Sequence, residues 1–593
     1  MEYVTTPPDF FPWLRESGLT FLLVVVGLAK ISILFGYLVT AVRRGPVAAL
    51  SITSKAIAGG VVDLVRISPR RVMALAWLAI KESIGRRVLV VFVIYALVLM
   101  FAGLILDPTL RETGRLYVGF VLNAMLYLML ALAWILSAFS LPNDLKQRTI
   151  YTIVTKPVRP SEIVLGRMIG FSAVGSMLLA VMALFSFLFV VRSLRHTHAV
   201  EAGSQTSLVT GHRHVIDKNQ VGEEGGTTDR AHSHSHHVDD PSRGEMTGPS
   251  QGELIARVPI HGTLQFTDDK GQPKEKGTNV GKEWTYRSYI KGGSLAAATW
   301  RFSDVRAEDF CDAEGKTDSL PITMNLRVFR LHKGTIDRGV LGSIVLRNPD
   351  DPDLVSGMIT FRAKEFQLDE IDIPRHLLSG KPGPDGRPMR LDLFDDLVSE
   401  SGELDVQIQC EESQQYFGMA QEDVYLRSRD GSFAMNFIKG CLGIWLQMVI
   451  VLSLGVMFST FLSGPVTMIA TLGALVTGMF AGKISALVAG EYLGGGPIEA
   501  FVRIVTQRNL VSPLEVGMAT TLIEMFDKAI LFILWVILKL LPDFQSYSNI
   551  DQVAIGFNIP GMLSLQHLLS ALAYLSVAMV VGLFFLRTRE VAR

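Results

Sequence analysis

Cysteine is almost missing from this chain. It has three in 593 residues, Cys311, Cys410 and Cys441. That excludes a disulfide-dense scaffold, and the spacing fits no zinc-finger pattern. Cys441 lies in an apolar run and reads as a small core residue, whereas Cys311 and Cys410 share a polar insert and are open to pairing there. Net charge is missing as well, with 56 basic against 56 acidic residues. No electrostatic footprint for a nucleic-acid partner exists in the total, and charge is informative only locally. The motifs of common catalytic sites are also lacking. No HExxH or GxSxG occurs, and GTNVGK at 277–282 and GMFAGK at 478–483 have the wrong spacing for a phosphate-binding loop, with no Ser or Thr after the lysine. Asp350, Asp351 and Asp353 fall in a turn-rich stretch and read as a solvated loop. The sequence therefore predicts a chain without catalytic residues that binds no cofactor of its own.

Long apolar runs are abundant. Hydrophobic residues make up 49% and charged residues 19%, with a mean hydropathy of +0.34, which describes a composite of membrane and soluble parts. Runs at 21–42, 88–106, 118–141, 168–191, 437–458, 466–487 and 568–586 are each about long enough to cross a hydrocarbon layer of roughly 30 Å as a helix. Residues 529–541 are too few to cross, so 517–541 reads as a re-entrant or interfacial helix, leaving about seven spans. Arg43 and Arg44, the basic loop after 141, and Arg587, Arg589 and Arg593 place those ends in the cytosol by the positive-inside rule. Residues 192–435 are then extracytoplasmic in a multi-pass protein of the plasma (inner) membrane, with a cytosolic C-terminus.

The basic loop reads PNDLKQRTIYTIVTKPVRPSEIVLGRMIG. Leu145, Thr149, Ile150, Ile153 and Val154 recur at helical spacing opposite a cationic face, with Pro157 and Pro160 ending the helix. A loop that only sets topology is the simpler reading of such basic residues taken alone. The segment 70–87, RRVMALAWLAIKESIGRR, predicts a surface helix leading into the next span.

In these motifs the sequence resembles the permease subunit of type 2 ABC transporters. That family carries an acidic residue, a Thr-Ile or Thr-Leu pair, a Pro-Val with a basic residue, and a Gly followed by Lys or Arg. Here these read Asp144, Thr149-Ile150, Pro157-Val158, Arg159 and Gly166-Arg167. The family more often has Glu at the position of Asp144 and Gly at that of Arg148. LPDF at 541–544 and the Arg-rich end are also similar. The resemblance implies an ATP-driven exporter whose ATP acts through a separate ABC ATPase subunit. That partner would grip Asp144, Lys146, Arg148, Thr149, Ile150, Pro157 and Arg159 of the loop, and Lys81, Glu82 and Arg86 of an elbow helix. Two permeases, identical or related, would share the lipid bilayer as a homodimer or heterodimer.

The resemblance does not extend to 192–435. Residues 192–252 are rich in Gly, Ser, Thr and His and predict a disordered tether. Eight of the 12 histidines lie here. His232, His234, His236 and His237 are weak metal candidates, with no fixed spacing or cysteine beside them. Residues 253–435 change to alternating patterns at 323–330, 342–346, 357–361, 404–408 and 424–426, which predict an all-β sandwich. The resulting fold class is an α-helical polytopic membrane protein with amphipathic interfacial helices and an inserted extracytoplasmic all-β sandwich. Its parts are an extra span and linker (1–69), a first membrane half (70–191), the tether, the sandwich and a second membrane half (436–593). Two other functions fit less of the chain: a membrane-anchored binding or sensor protein needs one span, and a metal-ion transporter would show ligands inside its spans.

Overall fold

The structure is a computed structural model. It describes residues 10–588 apart from 85, 108, 110–112, 147–157, 202–204, 217–225, 230–233, 240–245, 253, 279–286, 312–315, 332–337, 365–368, 383–387, 493 and 510–516. The chain divides into a helical unit and a β-rich unit.

In the helical unit, α1 (Phe10–Arg44), α2 (Pro46–Val65), α3 (Pro69–Ser83), α4 (Arg86–Ile105), α5 (Thr113–Lys146) and α6 (Pro160–Leu194) precede the β-rich residues. After them come α7 (Phe433–Ser459), α8 (Gly464–Met479), α9 (Ala481–Ala489), α10 (Pro497–Val505), α11 (Met518–Leu540), α12 (Ile550–Ile555) and α13 (Gly561–Thr588). Among the described residues five helices are long and apolar enough to cross a membrane, namely α1, α5, α6, α7 and α13. The pair α8 and α9, bent by 64°, makes a sixth if it forms one span, and α4 carries a shorter apolar stretch. Within 517–541 lies one continuous helix, α11 (Met518–Leu540), and its buried Asp527 accepts from the Ile498 and Glu499 amides at 2.7 and 3.0 Å, capping α10.

The core of this unit is α7, buried around most of its circumference. The helices around it are held by side chains that reach a neighbour. The indole of Trp445 donates to Ser176 Oγ on α6 at 2.7 Å, and that of Trp134 on α5 donates to the Met468 carbonyl on α8 at 2.9 Å. The polar residues Asn123 and Ser137 satisfy themselves on their own helix, at the Gly119 and Ala133 carbonyls.

Two sequence expectations change here. Pro160 opens α6 instead of ending the loop helix, because proline at the first helical position lacks only an amide hydrogen that has no partner anyway. The presumed linker after the first run is the 20-residue helix α2.

Among the described residues the β-rich unit, 255–433 with 556–558, holds four antiparallel sheets around one core, the smallest pairing His376–Pro382 with Pro388–Asp392. A six-stranded sheet runs Ile359–Ala363, Val340–Arg347, Leu404–Cys410, Ala297–Phe302, Thr263–Thr267, Pro273–Lys274. A four-stranded sheet runs Asp369–Pro374, Ser319–Met324, Val424–Gly431, Ala256–His261. Trp300, Ile344 and Val406 from the first meet Ile322 and Leu426 from the second, with Phe417 from a three-stranded sheet. The alternation predicted over 323–330 is interrupted because the chain changes sheet there, with Ser319–Met324 in one and Arg327–Arg330 in another. Cys311 and Cys410 are both free thiols, so the pairing left open by the sequence is not made.

Burial raises the Asp369 carboxyl to about 7, and its Oδ2 has no hydrogen-bond partner. A carboxyl with a raised folded pKa binds more protons folded than unfolded, so stability is lost as pH rises from about 4 to about 7. Asp369→Asn should flatten that loss. Between pH 5 and 8 the melting point of the full chain in detergent should then fall by roughly 2–4 °C less than in the wild type. An unchanged pH profile would show that Asp369 ionises without cost.

Candidate functional site

Three of the residues expected to meet a partner, Lys81, Glu82 and Arg159, lie on α3 and at the start of α6. Ser68 is the N-cap of α3, with Pro69 at its first position, and Arg159 is the N-cap of α6, with Pro160 in the same place. One carboxylate serves both ends. Glu162, with its side chain fully buried, accepts the backbone N–H of Ser68 at 3.0 Å and that of Arg159 at 3.0 Å. The Arg71 guanidinium adds Nη2 at 2.8 Å and Nε at 2.9 Å. Both helices present their positive dipole ends to this anion, so the buried charge is compensated by two N-termini and an arginine fork.

Beyond this clamp, α3 lies directly on the backbone of α6. Its buried stripe is Val72, Ala76, Ala79 and Ser83, at helical spacing. Facing it on α6 are Gly166 and Gly170. A Cβ on Gly166 would stand 2.6 Å from Leu75 Cβ, and one on Gly170 would stand 2.6 Å from both the Ala76 carbonyl oxygen and Ala79 Cβ. This small-xxx-small pair lets the two backbones meet. At the far end of α3, Glu82 and the buried Arg167 form an ion pair. The outer face of α3 is left with Arg70, Met73, Trp77 and Lys81, and the Lys81 ammonium lies over the Trp77 ring at 5.6 Å.

A second tie gathers three helix ends. The buried Asp63 on α2 accepts from Arg587 of α13 at 2.8 Å (Nε) and 2.5 Å (Nη2). Arg159 Nη1 donates to the Val62 carbonyl at 3.1 Å, with Asp63 Oδ1 at 3.7 Å, and Ser161 Oγ reaches the Asp63 carbonyl at 3.3 Å.

Of the residues singled out in the sequence, Arg159 and Glu82 belong to these ties and Lys81 lies on the exposed face. Asp144 and Lys146 lie in the last turn of α5, and Arg86 opens α4. Arg148, Thr149, Ile150 and Pro157 lie outside the described residues. Sequence reasoning missed Asp63, Arg71, Glu162 and Arg587. The signal for Glu162 was present, since Arg159-Pro160-Ser161-Glu162 has proline at the first helical position and glutamate at the third, the pattern that opens a helix.

Of the four histidines noted as metal candidates, His234 and His236 are buried in a cluster with four others, all in 196–236. His237 is half-exposed beside Asp239 at 3.1 Å, and His232 lies outside the described residues. The expectation of a structureless tether fails for the described part of 196–251. Short antiparallel pairs join Val200–Glu201 to Gln205–Thr206 and Gly226–Thr227 to His237–Val238, because threonine side chains and backbone groups pair in a closed pattern that composition does not reveal.

The architecture is compatible with a membrane protein carrying a separate β-rich unit. No protein family, curated protein or solved structure matches the chain.

Proposed function

We propose that this chain is the permease subunit of an ATP-driven exporter of the type 2 ABC kind. In this reading α4 and the bent pair α8–α9 join the five long apolar helices to give seven spans of the inner membrane. Residues 192–435 then lie outside, with 253–435 as a β sandwich that receives or hands over cargo, and the C-terminus is cytosolic. Two permeases, identical or related, form the conduit, and a separate ATPase supplies the hydrolysis that this chain has no motif to perform.

The observation that carries the reading is the seating of α3 on α6. An amphipathic helix with an exposed face of Arg70, Met73, Trp77 and Lys81 is joined to a long apolar helix by Gly166, Gly170 and the Glu162 clamp. A partner pressing on that face moves α6 with it, because neither glycine contact nor the clamp leaves slack for α3 to slide alone. Nucleotide-driven closure of the ATPase would displace α3 and the loop after α5 together and tilt α5 and α6. Lys146 and Arg148 would supply charge-assisted contacts to the ATPase. Arg159 contributes differently, holding the start of α6 to the end of α2.

The test is charge reversal at the partner face. Lys81→Glu combined with Lys146→Glu should leave the protein folded and inserted but cut transport-coupled ATP hydrolysis at least ~10-fold, as expected for losing about 1.4 kcal/mol or more of contact energy. Undiminished coupling in that double variant would remove α3 and the loop from the partner interface.

A further inference from the structure

The six histidines clustered after α6, five of them buried, repeat a pattern three times. His196-Thr-His198 precedes Val200, His212-Arg-His214 precedes Ile216, and His234-Ser-His236 precedes Val238. Each unit is followed by a threonine, Thr206, Thr228 or Thr247, that bonds to the second histidine of another unit. The His214 amide donates to Thr206 Oγ1 at 2.8 Å, that of His236 to Thr228 Oγ1 at 3.0 Å and that of His198 to Thr247 Oγ1 at 2.9 Å. The threonine amides return the bond to the carbonyls of His214, His236 and His198 at 2.8–2.9 Å. The last bond joins the third unit to the first, so the three units close into a ring with threefold pseudosymmetry. Among the described residues its apolar core is Ile216 and Val238 with Val200 against them.

The rings face one another in one arrangement. Twelve pairs have centroids 4.7–5.2 Å apart, and in them each imidazole neighbours four others. These are the edges of an octahedron, with His196 opposite His214, His198 opposite His234, and His212 opposite His236. One nitrogen from each of His196, His198, His212, His234 and His236 lies within 4.8 Å of all the others. On one triangular face the Nε2 atoms of His196, His212 and His234 are 3.1–3.3 Å apart. For a regular octahedron that edge puts the centre about 2.2–2.3 Å from each nitrogen, close to the metal–imidazole length of about 2.0–2.1 Å seen for zinc.

The tautomers are set from behind. Nδ1 of His196 meets the Leu194 carbonyl at 3.0 Å, and Nδ1 of His198, His214 and His236 meet those of Ser207, Asp229 and Gly248 at 2.8–3.0 Å. A carbonyl only accepts, so each of these Nδ1 atoms carries the proton and each Nε2 is the unprotonated nitrogen. Nε2 of His198 and of His236 is buried with no hydrogen-bond partner. Lone pairs converging at this distance repel unless a cation lies between them.

We infer that these six histidines form a closed octahedral site for a divalent first-row transition ion. Six neutral nitrogen donors reject Mg²⁺ and Ca²⁺, which take oxygen, and Cu(I), which takes sulfur. Zn²⁺ favours four ligands, whereas Mn²⁺, Fe²⁺, Co²⁺ and Ni²⁺ accept six, and the affinity order places Ni²⁺ and Co²⁺ above Mn²⁺. With every vertex filled by protein there is no open position for substrate, so the ion's role is structural or sensory. With so small an apolar core, metal binding supplies the folding energy of this module.

The experiment uses the full-length chain in detergent, purified without a polyhistidine tag, stripped with chelator and titrated with Co²⁺ or Ni²⁺ alone. One ion per chain should bind, Co²⁺ should show the weak visible bands of six-coordination, and hydrogen exchange across 196–251 should slow. His198→Ala with His236→Ala should weaken binding at least ~100-fold, while His237→Ala, outside the octahedron, should not. Intense tetrahedral Co²⁺ bands, no binding, or affinity unchanged in the double variant would overturn the assignment. The wild-type spectrum and stoichiometry decide the matter even if that variant does not fold.

Discussion

Glu162→Ala should loosen the start of both α3 and α6 and lower the stability of the helical unit by about 2–3 kcal/mol. The carboxylate is fully buried and accepts from two N-cap amides and one guanidinium. Alanine strands the amides of Ser68 and Arg159, each costing about 1 kcal/mol or more when buried without a partner. Arg71, with a side chain 38% exposed, can turn to solvent, which keeps the loss below the value for a fully buried pair. Glu162→Gln should fall between, since the amide retains one acceptor but sets an NH₂ against donors. Hydrogen exchange reads the result directly. The Ser68 and Arg159 amides should exchange at least ~10-fold faster in the alanine variant, and unchanged protection would mean that other groups hold the two helix starts.

Gly170→Val should separate α3 from α6. Even the first carbon of a side chain would lie 2.6 Å from the Ala76 carbonyl oxygen, which is backbone and cannot rotate away, and 2.6 Å from Ala79 Cβ. Restoring ordinary contact needs a shift of about 1 Å along the whole face, at a cost of about 1–3 kcal/mol that outweighs the gain in helix propensity over glycine. The variant should melt lower and, under the proposed function, lose coupling to the ATPase. Gly103→Val is the control. A Cβ there meets nothing within 4 Å, so the same change of residue type in α4 should be neutral or slightly stabilising. Equal behaviour of the two variants would show that α3 does not rest on α6.

The long helices were legible in the sequence because a span announces itself by length and hydropathy alone. The strands at 404–408 and 342–346 were legible because one face of each is buried. The clamp was harder to see. Glu162 looked like one acidic residue in a basic loop, and only the register of α6, begun at Pro160, turns it inward to meet Ser68 from 94 residues earlier. Asp63 and Arg587 are 524 residues apart, and no local pattern links them. The histidine cluster was hidden by its spacing. The three His-x-His units are separated by loops of unequal length, so a search for fixed metal-ligand intervals passes over them, and their threefold relation appears only once the threonines close the ring.

The central claim is that the exposed face of α3 is where an ATP-hydrolysing partner grips this membrane protein. A photoreactive residue in place of Trp77, activated in intact inner membranes, tests it most directly. The account predicts one major adduct, with a protein bearing a phosphate-binding loop, whose yield changes when ATP is trapped. Adducts with lipid alone, or labelling of position 77 by an impermeant reagent added outside the cell, would contradict it.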